Sequence, residues 1–223
     1  MKTPWEFFQY NRMKIKSTWK IAFVSAFVIS LLIHLPVMLT DIPNHDGLSS
    51  MYFDQNMITS GRWFLTVACG FSSYFTIPWV IGLIGLVWLA LTAVALTELL
   101  ELKDPLFIIV VSGLLVSFPA LASTFAYVFT LDGYMLALFL AVLAVLLTAK
   151  YHRGYLAGAV CLAFSMGIYQ AYLPFTILLC VYEILLFFME EKGWKEKAKY
   201  VCRYVVMGIV GGVLYYVILQ ILL

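Results

Sequence analysis

The chain has 223 residues, of which 64% are hydrophobic and only 12% charged, with a mean hydropathy of +0.97. A water-soluble domain of this size covers its surface with about a quarter charged residues, so a fold bathed in water is excluded and the solvent must be lipid. The formal net charge of +2 (14 Lys+Arg against 12 Asp+Glu) removes any polybasic case for nucleic acid, and leaves the placement of charge as the informative quantity.

Residues 1–20 mix Lys2, Arg12, Lys14, Lys16 and Lys20 with Trp5, Phe7, Phe8 and Tyr10, which predicts an amphipathic helix lying along a membrane surface. Seven apolar runs follow, at 21–39, 78–99, 105–122, 134–148, 155–167, 172–189 and 204–223. A bilayer core takes roughly 20 apolar residues per helix, so each run is read as a span, the fourth and fifth being short. The runs are apolar on every face, whereas barrel strands alternate, so the predicted fold is an all-α, polytopic membrane helix bundle forming one transmembrane domain. The first run is not read as a cleaved signal, because its apolar core is too long and no small-residue cleavage site follows.

Lys and Arg resist translocation, which orients the bundle. Thirteen of the 14 basic residues fall on one side of this map: the N-terminal five, then Lys103, then Lys150 and Arg153, then Lys192, Lys195, Lys197, Lys199 and Arg203. That side, with the N-terminus, is cytoplasmic. The exception is Arg62, in an outward loop over 40–77 that also carries Asp41, Asp46 and Asp54. The next outward loop, over 123–133, holds Asp132, and the third is a tight turn near Gln170. Of the four cysteines only Cys69 falls on the oxidising side, so no disulfide or metal framework follows. Within the spans, His34 reads as a helix-packing hydrogen bonder, and Glu183 as a costly acid that pairs with a neighbouring helix or snorkels.

The 40–77 loop is long, and long ordered loops tend to be functional. Pro43 and Gly47 bracket a turn, after which residues 48–60 are predicted as a short interfacial helix ended by Gly61. Asp46 then sits at the membrane edge, where a partly desolvated carboxylate is suited to act as a base. Arg62 presents a planar fork suited to phosphate. The bland alternatives are a solvated turn aspartate and a headgroup anchor.

Three patches in order carry a resemblance: His45-Asp46-Gly47 with Ser60-Gly61-Arg62 fifteen residues on; Phe118-Pro119 followed by Phe125 to Asp132 and Met135; and Gly167-Ile168-Tyr169-Gln170-Ala171. In these the chain resembles the Gtr-type, serotype-converting membrane glucosyltransferases of the GT-C class, over roughly residues 21–190. The resemblance implies an inverting transfer of glucose or another hexose, from a polyprenyl-phosphate donor to a glycan or glycolipid acceptor. The transfer would take place on the outer face of a bacterial cytoplasmic membrane, with a flippase and a polyprenyl-phosphate glucosyltransferase as partners. It implies Asp46 as general base, Arg62 on the donor phosphate, and His45, Tyr127, Asp132, Tyr169 and Gln170 around the sugar. The family pattern has two adjacent acids where this chain has His45-Asp46, which leaves open which carboxylate acts and whether a divalent metal is held; the reading without cofactor or metal is favoured. Family members are longer, so the chain also reads as a fragment, a truncated product or a minimal version. Two other readings stay open: a flippase for a lipid-linked sugar, and a non-catalytic partner in a glycosylation complex.

Overall fold

The computed structural model describes residues 15–40, 45–50, 53–75 and 77–223. Among them the chain is 80% helix with no strand. Seven apolar helices make up the bundle: α1 (Ser17–Leu39), α2 (Pro78–Leu99), α3 (Pro105–Ser117), α4 (Leu131–Lys150), α5 (Gly154–Ile168), α6 (Leu173–Met189) and α7 (Trp194–Leu222). Five helical segments are long and apolar enough to cross a membrane: α1, α2, Val128–Lys150 around α4, Gln170–Met189 around α6, and α7. The chain is a membrane protein. The other two expected spans, α3 and α5, are apolar helices of 13 and 15 residues, about 20 Å long at 1.5 Å per residue.

The differences from the predicted boundaries have local causes. The third run was expected over 105–122, but α3 stops at Ser117. Proline disfavours helical backbone at the residue before it, and Phe118 accordingly lies extended at φ −61°, ψ 129° ahead of Pro119, which opens the separate short helix Pro119–Thr124. The seventh helix starts ten residues before the apolar run, because Lys195 to Lys199 are good helix formers and Gly193 supplies an extended cap. The expected surface helix over 1–20 falls mostly outside the described residues, and Ser17 to Lys20 belong instead to the first turn of α1. The helix expected over 48–60 does not form as one piece. A single turn at Gly47–Ser50 and a 3₁₀ turn at Ile58–Ser60 replace it, since the segment has little amphipathic pattern to bury.

Caps and cross-bundle contacts define two ends. At one, Lys16 donates to Glu98 at 2.6 Å, Lys150 pairs with Glu101, and Arg203 donates to the carbonyls of Thr148 and Tyr151 where α4 ends. Basic residues of three separate segments therefore gather at a common end. Pro105 enters α3 there under an Asp104 cap that accepts from the N–H groups of Leu106 and Phe107. At the opposite end, where α3 runs out, the carbonyl of Val116 has no helical partner and meets His34 Nε2 of α1 at 3.1 Å. The imidazole also stacks on Phe125, ring centres 3.7 Å apart. Glu183 accepts from Tyr200 of α7 at 3.3 Å, so it pairs with a neighbouring helix.

His34→Ala strands that carbonyl in a buried site and leaves a gap under Phe125. It should lower the stability of the detergent-solubilised protein by about 1–3 kcal/mol, read from the thermal unfolding midpoint.

Candidate active site

The site is built on a tight turn, and the turn depends on one glycine. Gly61 adopts φ 78°, a left-handed conformation that costs a side-chain-bearing residue about 1–2 kcal/mol. Its N–H reaches Ile58 O at 2.8 Å, and Arg62 N–H reaches Met57 O at 3.0 Å, closing the loop on itself. The next residues anchor the turn to α5. Phe64 N–H donates to Gly167 O at 2.8 Å, and the Trp63 ring lies so close over Gly167 that a β-carbon there would sit 2.6 Å from it. Glycine at 167 is what lets the loop approach.

Arg62 is thereby turned into a cavity of about 1330 Å³. Its polar end is lined by Asp46, Asp54, Arg62, Tyr127, Tyr134, Tyr169 and Tyr172; its apolar part runs between Val111, Leu114 and Phe118 on the α3 side and Phe175 and Leu178 on α6, as far as Leu96 and Leu100. Among the described residues the guanidinium's direct contacts are neutral groups. It donates to Tyr134 Oη at 3.2 Å, lies 3.8 Å from Met57 Sδ, and stands over the Tyr169 ring at 5.1 Å. Its buried Nε has no hydrogen-bond partner, and no carboxylate among the described residues pairs with it. The tyrosines form a connected aromatic wall: Tyr134 and Tyr169 stack at 4.3 Å, Tyr172 meets Tyr169 edge-on at 5.4 Å, and Tyr127 stands 6.5 Å from Tyr134.

Of the residues singled out from sequence, Asp46, Arg62, Tyr127 and Tyr169 share this cavity. The other three do not line it. His45 is 90% exposed, with Nε2 3.0 Å from Asp46 Oδ1. Asp132 is buried and faces away, its Oδ1 accepting from Ser72 Oγ at 2.6 Å and from Gly133 N–H at 2.9 Å. Gln170 donates to Ser60 O at 3.2 Å and to Tyr215 Oη at 3.1 Å. Both groups serve the protein's own loops, which is why a sugar-contact role is not carried forward for either. Asp54, Tyr134 and Tyr172 are the cavity groups that sequence reasoning passed over. Tyr134 and Tyr172 open the fourth and sixth apolar runs, and in the sequence only that position at helix mouths marks them. Among the described residues no three His, Cys, Asp or Glu side chains gather as a metal site.

Behind Asp132 the same loop is pinned by a small buried cluster. Cys69 donates to Leu65 O and lies 3.4 Å from Ser73 Oγ. Burial pushes its thiol up to about 12, against the hydrogen bond to Ser73, and the negative charge of Asp132 adds to the rise.

Among the described residues, then, this helical membrane bundle sets a cation without a carboxylate partner among aromatics at the mouth of an apolar cleft. Residues 35–223 match the family model described as Glucosyl transferase GtrII, and the chain belongs to that glucosyltransferase family. No curated protein and no solved structure gave a match.

Two measurements follow. Gly61→Ala forces a β-carbon into a left-handed turn and to 2.2 Å from Tyr215 Oη; unfolding should show a loss of about 1–2 kcal/mol or more. Cys69, protonated at pH 8, should resist iodoacetamide in the native protein and be fully modified after denaturation, as counted by mass spectrometry.

Proposed function

We propose that the chain transfers glucose, or another hexose, from a polyprenyl-phosphate donor to a cell-surface glycan or glycolipid, with inversion, at the outer face of a bacterial cytoplasmic membrane. Membership of the glucosyltransferase family supplies the reaction class. The observation that carries the donor assignment is Arg62: an arginine without a carboxylate partner among the described residues, half-buried where a polar chamber meets an apolar cleft. A lipid phosphate is the ligand that satisfies both halves. Its anion neutralises the guanidinium, and its chain lies in the cleft between α3 and α6. The cavity exceeds the several hundred Å³ typical of a small-molecule site, which suits a sugar with part of a lipid chain.

In this reading a carboxylate takes the proton of the acceptor hydroxyl as its oxygen attacks the anomeric carbon. The bond from that carbon to the phosphate oxygen breaks on the opposite side, and the lipid phosphate leaves with both electrons. Arg62 stabilises the charge that develops there. Asp46 is assigned as the base; its side chain is 44% exposed, so an acceptor arriving from water can reach it. Tyr127, Tyr134 and Tyr169 offer ring faces and hydroxyls to the sugar. The asymmetry of basic residues supports the orientation, since the cluster of lysines and arginines lies at the end remote from Arg62.

The test is transfer of label from polyprenyl-phosphate-glucose to a glycolipid acceptor in proteoliposomes. Asp46→Asn should reduce kcat by about a hundredfold to ten-thousandfold. Wild-type turnover in Asp46→Asn, with the loss appearing in Asp54→Asn, would move the base to the other cavity carboxylate. Arg62→Ala should raise the donor KM as well as lowering kcat. Label crossing the bilayer without being transferred would overturn the enzyme reading in favour of a flippase.

A further inference from the structure

The backbone at Arg62 sets where its side chain starts from, and among the described residues the partners that side chain meets are neutral. Part of what fixes that backbone lies outside the cavity. Gln170 spends both hydrogens of its amide nitrogen, one on Ser60 O at 3.2 Å and one on Tyr215 Oη at 3.1 Å. These groups close over Gly61 from one side: a β-carbon on Gly61 would meet Tyr215 Oη at 2.2 Å and Gln170 Nε2 at 2.8 Å. The amide thus joins the residue two before Arg62 to a hydroxyl far along the last helix. Gln170 also follows Tyr169, whose ring supports the guanidinium, so one short segment holds both the turn and the platform under the charge. Neither Gln170 nor Tyr215 lines the cavity.

We infer that Gln170 and Tyr215 are positioning residues: a latch from α7 that holds the Ser60 to Arg62 turn and sets the guanidinium for the phosphate of an amphiphilic ligand. This rests on the proposed role of Arg62. Its physical basis is preorganisation. A turn that is free to rock spends binding energy on fixing the cation each time an anion arrives, whereas a latched one does not. Tyr215 is therefore coupled to ligand binding although it contributes no ligand contact.

The test uses the full chain in nanodiscs and sugar-free polyprenyl phosphate as the probe, with Kd measured for a double-mutant cycle. Tyr215→Phe keeps the ring and removes the hydroxyl; Gln170→Met keeps the length and removes the amide. Each should weaken binding about tenfold in the otherwise native chain, and less than twofold when Arg62→Ala is already present. An equal loss in both backgrounds would show that the pair acts through something other than Arg62, and no loss in either variant would show that no latch operates; both outcomes overturn the inference. If Arg62→Ala weakens binding while the two latch variants do not, only the latch falls. If Arg62→Ala binds like the native chain, the phosphate assignment falls and the latch falls with it.

Discussion

A guanidinium drawn out of water at a lipid boundary needs compensation, and the usual compensation is a carboxylate. Arg62 has none among the described residues. It is held by a phenol hydroxyl, a thioether and an aromatic face, contacts that fix a cation without cancelling its charge. The charge is therefore left facing a cavity that it shares with the carboxylates of Asp46 and Asp54, without a direct ion pair to either. The left-handed glycine before it, the glycine of α5 that admits Trp63, and the tyrosine wall together set where that charge is held.

Much of the fold was legible because lipid imposes a simple grammar. Helices must satisfy their own backbone and be apolar throughout, so each helix appears in the sequence as an uninterrupted run. Pro119 was visible too, but a break flanked on both sides by apolar residues reads as one run until the backbone at Phe118 is seen. The 48–60 segment was least legible, since it has neither periodicity nor strong caps, and tertiary contacts decide its turns.

The site was legible by address and illegible by direction. Asp132 and Tyr134 both lie at the first turn of α4, yet residues two apart on a helix point about 200° away from each other. One of them had to face the cavity and the other the loop around Ser72. Nothing in the sequence chooses between them, and polarity points to Asp132, whose carboxylate meets Ser72 and Gly133 while Tyr134 lines the cavity. The same holds for Gln170, whose amide is as fit for a sugar hydroxyl as for Ser60 O. Arg62 could be picked out because it was alone: a single basic residue on the acidic side of a strongly polarised chain has no bulk explanation.

The last helix is fastened at two distant points. Arg203 ties it to the carbonyls closing α4, and three turns further on Tyr215 meets the loop at the far end. It thus spans the bundle as a tie between the two rims, touching the turn beside Gly61 at one and the end of α4 at the other. The two fastenings stand twelve residues apart, about 18 Å along the helix at 1.5 Å per residue, so a single continuous helix is common to both rims.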